Sequence, residues 1–516
     1  MEGQGKPFGV AGVTLCGVII AASAALLASA PAAAQTGAPR AQTESADVPD
    51  ANACHVDVVP LRQPRMLLDV TVSCRIPSPL SLRASGGRMR DFVSDVRDAA
   101  GRPVEAELRD WTVPAVADGL TRISYRFDLD GFLDETNRVA NGMRRGETRL
   151  VLLDGWLLQP LSSGLSLPLA IKVQQTSDMR FATGLRFSAG RWRFGDTPVR
   201  FAGYTVFGDF RITSVPVAPP GSLAPAAGAG SAPPPPASID LVFMDGEMDV
   251  RHAHVADWVR QSAVAIANYF DGYSASQSLI VVVPTVGGGV PYGRVVPGGG
   301  ITMAIMLGQA ATARELYGEW VLIHEMIHTA SPFIYDRGTW LMEGMATYLE
   351  PVIRHRAGWK SEADVWREWL LNMNRGLDAL TVTGLRNGGS PYWGGALFLL
   401  LADIEIRRAT DLRLGLGDCL RDILAGGNNA VERWSVGQFL GACDRLTGRP
   451  VMAEMAQRFV DGNSAVDLRA LWRDLGVELR DGNIVYDDAA PLASVRRLIV
   501  RGPPSRRGPP VPMGRT

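Results

Sequence analysis

An α+β fold follows from three features of the sequence. Short alternating runs fill the first part of the chain, a Pro/Ala/Gly stretch interrupts it, and a strand–helix–strand order then gives way to purely helical patches. The expected layout is an N-terminal antiparallel β domain over residues 52–215, a linker over 216–237, a mixed domain over 238–404 and an α-helical lobe over 405–501.

Ahead of the β domain, no charge appears between Lys6 and Arg40, and residues 9–30 are almost wholly apolar or small. Ala32-Ala33-Ala34 then supplies an A-x-A cleavage site, so residues 1–34 read as a secretory signal peptide and 35–51 as a disordered leader. An uncleaved anchor is the alternative, because the run is long enough to span a bilayer. Export to the periplasm or the medium follows, with no stable membrane span once the segment is cleaved. Cys16 is lost with it. The remaining Cys54, Cys74, Cys419 and Cys443 suit two local disulfides, Cys54–Cys74 and Cys419–Cys443. A net charge of −1 leaves no broad basic field for a nucleic-acid partner.

The β domain is read from residues 55–59, 67–72, 121–127, 148–153 and 206–212, with turns at Asp130-Gly131 and Asn141-Gly142. Residues 216–237, with Pro233 to Pro236 in a row, cannot build a core. Beyond them, residues 238–244 suit a strand and 250–270 a helix. The β-branched run 279–283 suits a buried strand. A stretch rich in glycine, 286–300, is broken by Tyr292 and Arg294 and leads into a strand at 301–305. No Gly-Lys-Ser/Thr ends that stretch, so a phosphate loop is a poor reading, and a mobile loop over a cleft, or an edge against which extended substrate lies, fits better. A helix over 312–329 follows, then helical patches at 412–424, 436–446 and 466–475. A disordered tail is expected over 502–516.

The 312–329 helix carries the chemistry. His324-Glu325-Met326-Ile327-His328 matches H-E-x-x-H, whose histidines fall at i and i+4 on one helical face and can reach one tetrahedral zinc. Glu325 then lies beside a water in the open fourth position, as a general base requires. Glu343, fourteen residues beyond His328, is the candidate third ligand. The bland alternative is a core helix that happens to hold two histidines. Leu316, Trp320, Ile323 and Ile327 weaken it, because they already form an apolar stripe facing elsewhere. His55, His252, His254 and His355 have no ligand-like partner in sequence. Thr347 and Glu350 share the face of Glu343 and either orient a histidine or form an ordinary polar surface.

H-E-x-x-H followed by Trp340, Leu341, Glu343, Gly344, Ala346, Tyr348 and Glu350 resembles the gluzincin metallopeptidases, above all the aminopeptidase N and glycyl aminopeptidase families. Tyr392-Trp393-Gly394-Gly395-Ala396 is similar to the segment whose tyrosine steadies the tetrahedral intermediate there. The resemblance implies a thermolysin-like zincin domain with 301–305 as its edge strand, one zinc on His324, His328 and Glu343, Glu325 and Tyr392 as catalytic groups, and a peptide or protein substrate. This sequence departs in a shorter spacer before Glu343 and in Gly394 where the family has lysine. It also departs at residues 299–303, which offer no glutamate to hold a substrate amine. Three functions are thus in play: an exported zinc metallopeptidase, a zinc hydrolase of an ester, amide or epoxide, and a non-enzymatic envelope binding protein.

Overall fold

A computed structural model describes residues 48–62, 64–116, 119–217, 237–388, 390–462 and 464–502. The expected signal peptide and most of the leader, linker and tail lie outside these residues.

The N-terminal unit contains seven-, five- and four-stranded sheets. In the largest, strand Cys54–Leu61 pairs antiparallel with Leu67–Arg75, and Cys54–Cys74 is disulfide-bonded across that pair. The expected all-antiparallel arrangement fails at one place, where Cys54–Leu61 runs parallel to Leu169–Val173. A long crossover separates these two strands, which a parallel pair requires and short hairpin turns in the sequence do not announce. Asp130-Gly131 is also no turn. It lies inside helix Leu129–Thr136, because Asp128 accepts the Gly131 N–H and caps that helix.

The second unit is built on a five-stranded sheet in the order Ile212–Val217, Ala237–Phe243, Gln277–Thr285, Ile301–Gly308, Tyr292–Val296. Its three central strands are parallel and both outer strands are antiparallel. Ile280, Val282, Met303 and Ile305 face the helices, whereas Leu279, Val281, Val283 and Ala304 pack on Leu150, Tyr204 and Val206 of the N-terminal unit. Burial on both faces explains why 279–283 is a continuous apolar run. The Tyr204 N–H donates to Thr302 Oγ1 at 2.8 Å, and the Gly299 N–H donates to the Phe201 carbonyl at 2.9 Å. The β unit is therefore the second wall of the sheet.

The edge of that sheet differs from expectation. Ile301–Gly308 is interior, and the edge is Tyr292–Val296, out of the glycine-rich stretch. The expected 312–329 helix is also broken. Thr312 and Glu315 form a capping box on a one-turn helix, Ala313–Leu316, and the motif helix starts afresh at Val321. Trp320 sits at its N-cap, 40% exposed, rather than in a buried stripe.

Helix Thr339–Arg356 follows the motif helix and packs along helix Pro391–Ala409. The crossing is glycine on glycine: a Cβ on Gly344 would overlap the Gly395 backbone, and one on Gly395 would overlap the Trp340 carbonyl oxygen. Helices Leu416–Ala425 and Val436–Thr447, joined by Cys419–Cys443, extend this layer. Gly395→Ala is expected to cost about 1–3 kcal/mol through overpacking, read as a lower denaturant midpoint, and to loosen metal retention by moving Glu343.

Candidate metal centre

The motif helix, Val321–Thr329, buries Leu322, Ile323, Met326 and Ile327 in the main core. That anchoring turns His324 and His328, one turn apart, towards helix Thr339–Arg356, with ring centroids 4.9 Å apart and planes at 83°. Glu343 meets them from that helix. Its Oε2 lies 3.2 Å from His324 Nε2 and 3.5 Å from His328 Nε2. The three donor atoms lie within 4.8 Å of one another, and among the described residues no other His/Cys/Asp/Glu triplet forms such a group.

Glu325 leaves the motif helix towards the edge strand. The edge strand approaches there because residue 293 is glycine; a Cβ at Gly293 would press on Glu325 Cγ and the Val321 side chain. This closeness lets the Val295 N–H donate to Glu325 Oε2 at 2.8 Å, fixing one carboxylate oxygen. Tyr392, in the first turn of helix Pro391–Ala409, stacks with its ring centroid 6.1 Å from that of His324. Glu325, His328, Glu343 and Tyr392 line one cleft with Arg294, Phe333 and Met342.

The other candidates lie elsewhere. Glu350 accepts from Arg354 Nη1 at 2.8 Å, and Arg354 reaches the Gly318 carbonyl, so this pair braces the entry to the motif helix and orients no histidine. His252 stacks on Phe243, His254 bonds Arg251, and His355 meets the Lys360 carbonyl. Sequence reasoning left Arg294 without a role. The signal was present in Tyr292 to Val296, a strand-forming run between glycines.

Electrostatics couple the group. Burial pushes Glu343 up, but His328 and His324 outweigh it and hold the carboxyl well below its usual range. Burial pulls His328 down, yet the facing Glu343 carboxylate leaves it raised. Glu325 is raised by burial, against the pull of both histidines. A carboxylate that stays ionised and a base with an elevated pKa therefore stand side by side.

No protein-family model and no curated protein sequence matches the chain. Among solved structures, it is similar to an aminopeptidase N family protein from Idiomarina loihiensis, at 13% identity and a TM-score of 0.61, over 83% of this chain and 79% of that one. An M1 zinc metallopeptidase from Deinococcus radiodurans, bound to a Tyr-Ser-Ala substrate, aligns at 15% identity and a TM-score of 0.49, over 81% and 94%. The first likeness shows the fold: the chain is built like an aminopeptidase N family protein, as the motifs suggested.

Because Glu343 raises His328, metal-free Glu343→Gln should titrate its His328 at lower pH than the parent, by histidine NMR. The linkage has one sign: a raised histidine stabilises the fold below its unfolded pKa of about 6.5 and loses that contribution as pH rises through the folded value. The Tm of the metal-free parent should therefore fall more than that of the variant as pH rises above about 6.5. An unchanged His328 would disprove the coupling.

Proposed function

We propose that the chain is an exported zinc metallopeptidase that hydrolyses peptide bonds. The observation that carries this reading is the convergence of His324, His328 and Glu343 at one side of a cleft in which Glu325 and Tyr392 also stand. The donor chemistry fits zinc, since two imidazoles and one carboxylate make a three-ligand set that leaves a fourth position for water. Zinc held there lowers the pKa of its water towards about 7 and polarises the scissile carbonyl.

The chain's own groups do the rest. Glu325, with one oxygen fixed by the Val295 N–H, keeps the other to accept a proton from the attacking water and pass it to the leaving amine. Tyr392 offers its hydroxyl to the developing oxyanion. The two disulfides agree with an oxidising compartment.

The edge strand bears on the mode of cleavage. Where this strand borders the cleft it carries Arg294 and no carboxylate, so nothing on it attracts a free ammonium. Blocking the amine with an acetyl group should therefore leave peptides cleavable, and strict dependence on a free N-terminus would contradict this. Purified protein should contain about one zinc. Glu325→Gln should keep that zinc while turnover falls about 10²–10⁴-fold, and Tyr392→Phe should lower kcat about 10²-fold with KM less affected. Full peptide hydrolysis by Glu325→Gln, or a protein that takes up no metal, would end the proposal.

A further inference from the structure

We propose that Arg294 is a positioning residue through which the N-terminal unit sets Glu325: its guanidinium, locked into that unit behind the sheet, holds the edge strand where the Val295 N–H meets the carboxylate. This rests on the peptidase reading above. Alternation divides the edge strand between two faces. Tyr292 and Val296 pack with Leu150, Tyr204 and Val206 of the N-terminal unit, which puts Arg294 on the same side as the only charge in the strand. Gly293 lies on the opposite face, close to Glu325 Cγ, and two residues on the Val295 N–H donates to Glu325 Oε2 at 2.8 Å.

On the back face the guanidinium has fixed partners. It donates to the Ala140 carbonyl and to the Tyr204 hydroxyl, which itself donates to the Val139 carbonyl at 2.8 Å. Asp154 lies within electrostatic reach, and Arg294 and Arg200 counter the burial that pushes this carboxyl up to about 6. These partners come from three places in the N-terminal unit: the turn after helix Leu129–Thr136, the strand Tyr204–Gly208 and the helical turn Leu153–Gly155. Hydrogen bonds from a charged fork are directional, whereas apolar packing tolerates sliding. The edge strand needs such a lock, because it pairs with one neighbour only, Ile301–Gly308, and is entered and left through glycine-rich segments. The same unit grips its exit, where the Gly299 N–H donates to the Phe201 carbonyl and Gly300 bridges to Leu185. The position of the strand, and with it the oxygen of Glu325 that is held, is thus set from behind. A displacement of about 1 Å in a catalytic group can cost about 10²-fold in rate.

Arg294→Met removes the lock and keeps most of the side-chain length. It should lower kcat about ten-fold, with KM and zinc content little changed. Arg294→Lys, which can still reach a carbonyl, should recover part of the loss, and Tyr204→Phe should give a smaller loss of the same kind. A double-mutant cycle decides the route: in a Glu325→Gln background, where the base is already gone, Arg294→Met should cost little further. By hydrogen-exchange mass spectrometry, amides 293–296 should exchange faster in Arg294→Met while 301–308 keep the parent's protection. Should Arg294→Met fail to fold, Arg294→Lys and Tyr204→Phe carry the cycle and the exchange measurement. Unchanged kcat, a loss of equal size in both backgrounds, a rise in KM alone, or a loss explained by missing zinc overturns the proposal. A parent protein that hydrolyses no peptide would sink the peptidase reading. The exchange measurement then decides alone whether Arg294 holds the strand on Glu325, and unchanged exchange refutes it.

Discussion

A single buried carboxylate, shared between two imidazoles, is the constraint around which the second unit is arranged. Glu343 is 4% exposed, and an isolated anion at such a depth costs several kcal/mol. Its compensation comes from His324 and His328 across a gap of 3.2–3.5 Å. Two helices must therefore be held at fixed separation, or the charge is left unpaired. The neighbouring features serve this: the core side chains of the motif helix, the Glu350–Arg354 brace on the loop ahead of it, and the glycine crossing behind Glu343.

That crossing also ties a third helix to the site. Gly344 and Gly395 allow backbone contact between helices Thr339–Arg356 and Pro391–Ala409, and Tyr392 sits three residues before Gly395. One close contact thus sets the positions of both Glu343 and Tyr392. A third glycine, Gly293, plays the same part on the opposite wall, where the edge strand comes near enough for the Val295 N–H to hold Glu325. Small residues here act through the backbones they bring together.

The sheet beneath the site is enclosed by unlike partners, helices on one face and the β unit on the other. The cleft consequently opens at a junction. Its walls come from the edge strand, from the motif, glutamate and tyrosine helices, and from the segments around Phe333 and Ala430, with the N-terminal unit bracing Arg294 from behind. An alternating pattern in that unit announces strands, but carries no hint that one of its sheets would press against 279–283.

Local periodicity and motif spacing were enough to determine the α+β class, the metal-motif helix, and the grouping of His324, Glu325 and His328. Helical geometry places i and i+4 together whatever the rest of the chain does. Glu343 was legible only as a candidate placed beyond His328 and Tyr392 only through resemblance, because what joins them to the histidines is a helix crossing that local periodicity does not encode. The edge strand was misplaced at 301–305 for a related reason. Strand order within a sheet depends on which neighbour each strand finds, and glycines that look like a loop in sequence serve here as points of close approach. Arg294 shows the same limit: alternation along the strand sets the face on which it lies, but what its guanidinium meets there was decided by the N-terminal unit folding against the sheet.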